Sequence, residues 1–295
     1  MADRGIQLGE TAALGDVLSL DRIQSRIVLG LLLGGSFAGV WLAHWGSPPL
    51  SRVLWWAVVI ANGTLVGGLY WRVVLFDASR FDDTNTARWV QNRWRRLETV
   101  SVWSFALCAA AGLSLAPSGI GTAALGAGAV VSPVLWVGIR RGGVDGAGSA
   151  RRTAYVRAAL LTSTLVALGG FAWLETGTSI VDWAVRFGHV GSFALWIGGA
   201  LWHNSLIIPV LRSSVAADAL KQQADRFRRH LPAVILLFFV TGTYQTMGVI
   251  DLSLAAFLGS AVGRLIGVKL LVLLVLTGLV LANLVQAAST RRGRS

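Results

Sequence analysis

Sulfur is almost missing from this chain. Its 295 residues include one cysteine, Cys108, and two methionines, Met1 and Met247. A single cysteine excludes a disulfide framework, a CxxC redox pair and a cysteine-rich metal centre. Acidic residues are few as well, 14 against 26 Lys and Arg. There is no HExxH helix and no nucleophile set beside a base. The glycines between Gly119 and Gly128 loosely resemble a dinucleotide fingerprint, but they lie in or beside an apolar run with no strand before them. Hydrolytic and nucleotide-dependent chemistry therefore have no support. The N-terminal twenty residues lack the basic start and apolar core of a signal peptide.

What the chain has is apolar length. Hydrophobic residues make up 54% of it, and its mean hydropathy is +0.64. These values exclude an ordinary soluble domain and predict an all-α, polytopic membrane helix bundle. About eight segments have the ~20 apolar residues that a span needs: 24–45, 52–76, 97–116, 120–139, 155–175, 180–210, 231–250 and 262–288. The net charge of +12 does not call for nucleic acid, because its placement follows a membrane rule. Lys and Arg concentrate in 1–26, 77–96, 140–157, 212–230 and the tail, whereas the alternate loops 46–49, 117–121 and 175–179 have none. By the positive-inside rule both termini lie in the cytoplasm of a multi-pass cell-membrane protein.

The sequence divides into a cytoplasmic N-terminal segment (1–23), a first four-helix half (24–139), a glycine-rich cytoplasmic linker (140–154), a second four-helix half (155–290) and a basic tail (291–295). The halves share local likeness. LVGGLYW at 65–71 parallels WIGGALW at 196–202, and NRWRRL at 92–97 parallels DRFRRHL at 225–231. Equal spans per unit would make this a parallel repeat. The first copy carries Val58 and Arg72 where the second has His189 and His203.

Histidine is the residue type most able to carry chemistry here, and there are four. His189 and His203 share one face of the sixth apolar segment, about 21 Å apart along a helix. Trp196 lies midway between them, and Gly198 and Gly199 then open room for a helix or a large group. His44 ends the first span and His230 opens the seventh. Depth suggests an outer pair, His44 with His189, and an inner pair, His203 with His230. Neutral imidazole ligates haem iron, copper and zinc alike, and two such pairs would suit two stacked b-type haems. His44 reads as shallower than His189, which leaves a single cofactor open. At helix ends, His44 and His230 equally suit solvated interfacial positions. In mid-helix, the competing role for His189 and His203 is a hydrogen bond to a neighbouring helix. Arg264 and Lys269, early in the last span, would pair with an anionic group such as a haem propionate, a quinone oxygen or Asp251. Glu175, Asp182 and Arg186 lie near the same outer mouth, where carboxylates could gather a cation, but read first as interfacial charges.

Over about residues 180–290 the chain resembles the membrane domain of the copper-resistance protein D (CopD, PcoD) family. Three patterns carry the resemblance in order. They are His189 followed by Trp196, Gly198 and Gly199; then Arg226 and Phe227 leading to Thr241 and Gly242; then Gly263, Arg264, Leu265, Lys269 and Leu270 leading to Asn283. The resemblance implies an inner-membrane protein of copper uptake or homeostasis, working with an extracytoplasmic copper or redox protein. Cu(I) favours thiolate and thioether ligands, and this chain offers almost none. Two readings stand: copper handling through His44, His189, His203 and His230, or a haem b cytochrome moving electrons between a quinone and an external redox protein.

Overall fold

The computed structural model describes residues 26–75, 84–141, 147–207, 217–251 and 253–292. The N-terminal segment 1–23, the centre of the linker and the end of the basic tail lie outside the described residues. So does the side chain of Asn283.

Among the described residues the chain is all-helical, with nine helices and no strand. They are α1 (Arg26–Ala43), α2 (Pro49–Tyr70), α3 (Thr84–Leu113), α4 (Ile120–Arg141), α5 (Ala147–Thr176), α6 (Ile180–Trp202), α7 (Ala217–Met247), the short α8 (Leu254–Gly259) and α9 (Ala261–Arg292). α2 and α6 each run on into a π-helical turn, Trp71–Leu75 and His203–Ile207. Five helices are long and apolar enough to cross a membrane: α1, α2 with its π turn, α4, α5 from Arg151, and α9 as far as Leu279. α3, α6 and α7 fall short of that mark, so the structure supports five of the eight expected spans on length and composition. α3 and α7 are rich in arginine at their starts, and α6 carries Asp182, Arg186 and His189.

Two boundaries differ from the sequence expectation. α3 starts at Thr84 and α7 at Ala217, well before the apolar runs at 97 and 231. Hydropathy sees only the apolar part of a helix, and Arg, Gln and Ala continue it with high helix propensity. The expected linker 140–154 is also mostly helical. α4 reaches Arg141 and α5 starts at Ala147, and residues 142–146 lie outside the described residues.

Successive helices run antiparallel. The turns at 44–48, 114–119 and 177–179 gather at what is here called the upper end. Gly46 and Gly177 take positive φ, 94° and 68°, at two of these turns, a conformation that costs glycine little. Ser179 then caps α6 by accepting the Asp182 amide at 3.3 Å.

The bundle is organised on α2 and α6, which lie parallel and cross at glycine. A Cβ at Gly67 would come 2.7 Å from the Gly198 Cα, so neither position has room for a side chain. Close backbone approach of this kind is how helices associate where lipid removes the hydrophobic drive between them. Below the crossing, Trp71 stacks on Trp202 with centroids 4.4 Å apart and planes 14° apart. Phe227 of α7 closes on Trp71 at 4.2 Å. Arginines then reach across in both directions. Arg93 of α3 donates to the Ser205 carbonyl at 2.9 Å, in the π turn after α6. Arg226 of α7 donates to the Leu75 carbonyl at 3.3 Å, in the π turn after α2.

α4 packs antiparallel on α5 through Gly121, Gly128 and Gly170. α9 packs in the same sense on α1, Gly35 against Val272 and Gly39 against Lys269.

Candidate functional site

His189 is the only histidine that the structure places in the core of the bundle. It is buried, faces α7 from α6, and stacks on Phe238 with centroids 4.2 Å apart. Gly242 gives the ring its place, since a Cβ there would meet the imidazole at 3.3 Å. Nδ1 lies 3.1 Å from Thr241 Oγ1. That hydroxyl has one hydrogen, and it goes to the Leu237 carbonyl at 2.6 Å. Thr241 therefore accepts from His189, and Nδ1 of the neutral imidazole carries the hydrogen. Nε2 is left with its lone pair and no hydrogen-bond partner among the described residues. Such an outer partner fixes the tautomer and orientation of a ligating histidine.

Two small clefts of about 60 and 140 Å³ meet at this ring, each below the about 300–1,000 Å³ usual for small-molecule sites. Both are walled by Gly39, Arg186, His189, Phe238, Lys269 and Leu273. The first is mainly apolar, closed by α1 and by Phe193 and Trp196 of α6. Trp196, midway between the histidines in sequence, sets its ring edge-on to Phe238 at 6.3 Å.

Above His189 sits an ion-paired chain. Arg186 grips Glu175 with two bonds, Nε to Oε2 at 2.5 Å and Nη2 to Oε1 at 2.9 Å. Its Nη1 donates to Gln245 at 3.0 Å. His44 Nε2 lies 3.2 Å from Glu175 Oε1, and its ring lies parallel to Trp55 at 5.7 Å. These side chains come from α5, α6, α7 and the turn after α1. They fix the upper ends of those elements to one another through a buried bidentate pair. Glu175 and Arg186, read from sequence as interfacial charges, are instead 7% and 10% exposed at the side chain. No sequence signal marked their pairing, because that depends on which helix ends meet.

Lys269 differs from Arg186. Its ammonium points at α1, where Gly39 leaves it room at 3.2 Å from a would-be Cβ. No carboxylate pairs with it among the described residues. Arg264, which shares a sequence pattern with it, is exposed.

The four histidines do not gather into pairs by contact. His44 is engaged with Glu175, and His230 is exposed, its Nδ1 2.8 Å from the Arg226 carbonyl and its ring edge-on to Tyr70. His203 is half-buried in the π turn after α6. Gly198 and Gly199, which sequence offered to a helix or a large group, are filled by α2 and by the ring of Phe227. Among the described residues no three His, Cys, Asp or Glu side chains come close enough to hold a metal ion.

Several residues of the three patterns lie close together, though Arg264 is exposed and the Asn283 side chain lies outside the described residues. His189 bonds Thr241 and touches Gly242, Lys269 walls the same clefts, and Phe227 packs on Gly199. Comparison with protein-family models, curated proteins and solved structures returns no match.

Proposed function

We propose that this chain is an eight-span protein of the cell membrane, both termini cytoplasmic, that holds a b-type haem against His189 and serves electron transfer between a quinone and an extracytoplasmic redox protein. The upper end is then the outer one, in keeping with the basic residues of the opposite loops. The observation that carries the reading is His189, whose Nδ1 is tied to Thr241 while Nε2 keeps a lone pair beside a membrane-embedded cleft.

The donor chemistry suits a haem better than a bare ion. One imidazole nitrogen would suffice to hold the iron, and the apolar walls would face the macrocycle once α1, α7 and α9 part around it, since the clefts as they stand hold about 60 and 140 Å³. Lys269 offers a cation to a propionate. A copper ion would find one imidazole nitrogen, the hydroxyls of Ser36, Thr243 and Thr246, the Gln245 amide and two cations, with neither Cys108 nor Met247 on the cleft walls. When bound, the haem supplies one-electron chemistry. The chain's own part is to orient Nε2 through Thr241, to exclude water with Phe193, Trp196 and Phe238, and to neutralise an acidic group with Lys269.

Copper handling is kept as a second reading, favoured by the meeting of the three CopD-like patterns around one imidazole. The reciprocal reach of Arg93 and Arg226, with Gly67 on Gly198 and Trp71 on Trp202, also supports two four-helix halves of common origin. In that view the counterpart of His189 is Val58, fully buried against the Gly112 region, and only the second half has the site.

The deciding experiment is the absorbance spectrum of purified protein, oxidised and dithionite-reduced, with iron and copper assayed on the same sample. Sharp reduced bands with stoichiometric iron, both lost in His189→Ala, are expected. A colourless protein with bound copper would favour the second reading, and absence of both metals after supply would sink both.

A further inference from the structure

At the lower end a second buried polar site lies between α2, α3, α5 and α6. Glu98 of α3 is 4% exposed. Arg157 Nε of α5 stands 3.5 Å from its Oε1 and Arg72 Nε 4.0 Å from the same atom. These are ion-pair distances without hydrogen-bond geometry, and both carboxyl oxygens are buried with no hydrogen bond. Glu175, the other buried carboxylate, is gripped by two short bonds, so the contrast lies within one molecule. A buried carboxylate without hydrogen bonds is costly unless something else supplies them.

The space for that something is present. A cavity of about 30 Å³ opens beside Glu98. At the ~10–15 Å³ a water needs, this admits about two molecules. Its walls include Thr64, Ser101 and Trp202. The Trp202 indole N–H is itself buried and without a partner. The cavity therefore offers acceptors on Glu98, a donor on Trp202 and two hydroxyls, which together match bridging water and leave no room for a larger organic ligand.

We propose that Glu98 is a hydrated, proton-exchanging carboxyl group at the cytoplasmic end of the bundle, its oxygens joined by water to the Trp202 indole. A hydronium proton delivered through the cavity water passes to a Glu98 oxygen, leaving neutral water and a neutral carboxyl, and the reverse step returns it as hydronium, with no other bond made or broken. The charged groups that face it are Arg72 from α2, Arg157 from α5 and Arg95 from its own helix; α6 brings Trp202. The arginines hold the carboxyl in place without occupying its lone pairs. The site uses none of the residues around His189, so it stands whether or not that histidine holds a haem.

The test is carbodiimide labelling of the full chain in membranes, since dicyclohexylcarbodiimide adds to protonated carboxyl groups in apolar surroundings. Peptide mass spectrometry should find the adduct on Glu98, increasing several-fold as the pH falls, with little on Glu175. The label at that peptide should vanish in Glu98→Gln. On unmodified protein, a carboxyl C=O infrared band should shift promptly in D₂O. Absence of label on Glu98 at every pH, equal label on Glu175, or a carboxyl band that ignores D₂O would overturn the proposal, and none of these readouts requires the variant to fold.

Discussion

Thr241 holds His189 by accepting its Nδ1 hydrogen at 3.1 Å while giving its own to the Leu237 carbonyl at 2.6 Å. One hydroxyl thus fixes both the tautomer and the tilt of a ring 52 residues away in sequence. Any ligand of Nε2 depends on it.

Thr241→Val keeps the shape and removes the acceptor. The buried Nδ1–H is then unpaired, which should destabilise the protein by about 1–3 kcal/mol. Haem or metal affinity should fall by roughly 10–100-fold, the usual effect of losing an outer partner. Thr241→Ser should retain both. Titrating haem into apoprotein of each variant, beside thermal unfolding in detergent, checks this; equal affinity in Thr241→Val and Thr241→Ser would refute the orienting role.

The α2–α6 crossing makes a sharper distinction between adjacent glycines. At Gly67 a methyl group would collide with the Ala194 carbonyl and the Gly198 Cα, whereas at Gly68 nothing lies within 4 Å. Gly67→Ala should therefore destabilise by about 1–3 kcal/mol or more through overpacking against backbone. Gly68→Ala should be neutral or slightly stabilising, as alanine is favoured over glycine in a helix. Melting temperatures of the two variants in one detergent decide the matter.

Removing one partner of the buried Glu175–Arg186 pair strands the other. Glu175→Leu should cost about 3–5 kcal/mol, and Arg186→Met a similar amount. The double variant Glu175→Leu, Arg186→Met should recover most of the loss, because a well-packed apolar pair can replace a buried ion pair at little net cost. A double-mutant cycle on unfolding measures the coupling. Simple additivity of the two losses would show that the pair is not interacting as its geometry requires.

How much of this was legible in the sequence follows from the range of each interaction. The helix class and the five long apolar helices could be read, because twenty apolar residues in a row are a local property. The arginine-rich starts of α3 and α7 could not, since hydropathy does not register a polar helix end. The Gly-Gly and Trp likeness between 65–71 and 196–202 was legible, but that the two copies touch each other is a matter of topology. His189 could be singled out because an imidazole in an apolar run is rare. Its partner Thr241 was quoted only as part of a family pattern. Glu98 went unremarked and Glu175 was read as an interfacial charge because each sits at the end of an apolar run, where a carboxylate is normally solvated. Only the meeting of four helices buries them.

Lys269 gives the prediction with the widest consequence, because its two readouts should move in opposite directions. Its ammonium lies among helices, walls both clefts beside His189, and has no carboxylate partner among the described residues. Without a ligand, an uncompensated cation in such surroundings is a liability. Lys269→Gln should therefore leave the apoprotein as stable as the parent or more so. With the ligand, the same ammonium would be the partner of its acidic group, so the variant should bind haem more weakly, while Lys269→Arg keeps the charge and most of the affinity. Stability raised as function falls is the expected signature of a residue kept for binding. Unfolding of apoprotein and haem titration on the same three proteins supply both numbers. If Lys269→Gln lowers apoprotein stability and leaves affinity untouched, the lysine is a structural element of the α1–α9 contact, and the anionic end of any ligand must be sought elsewhere.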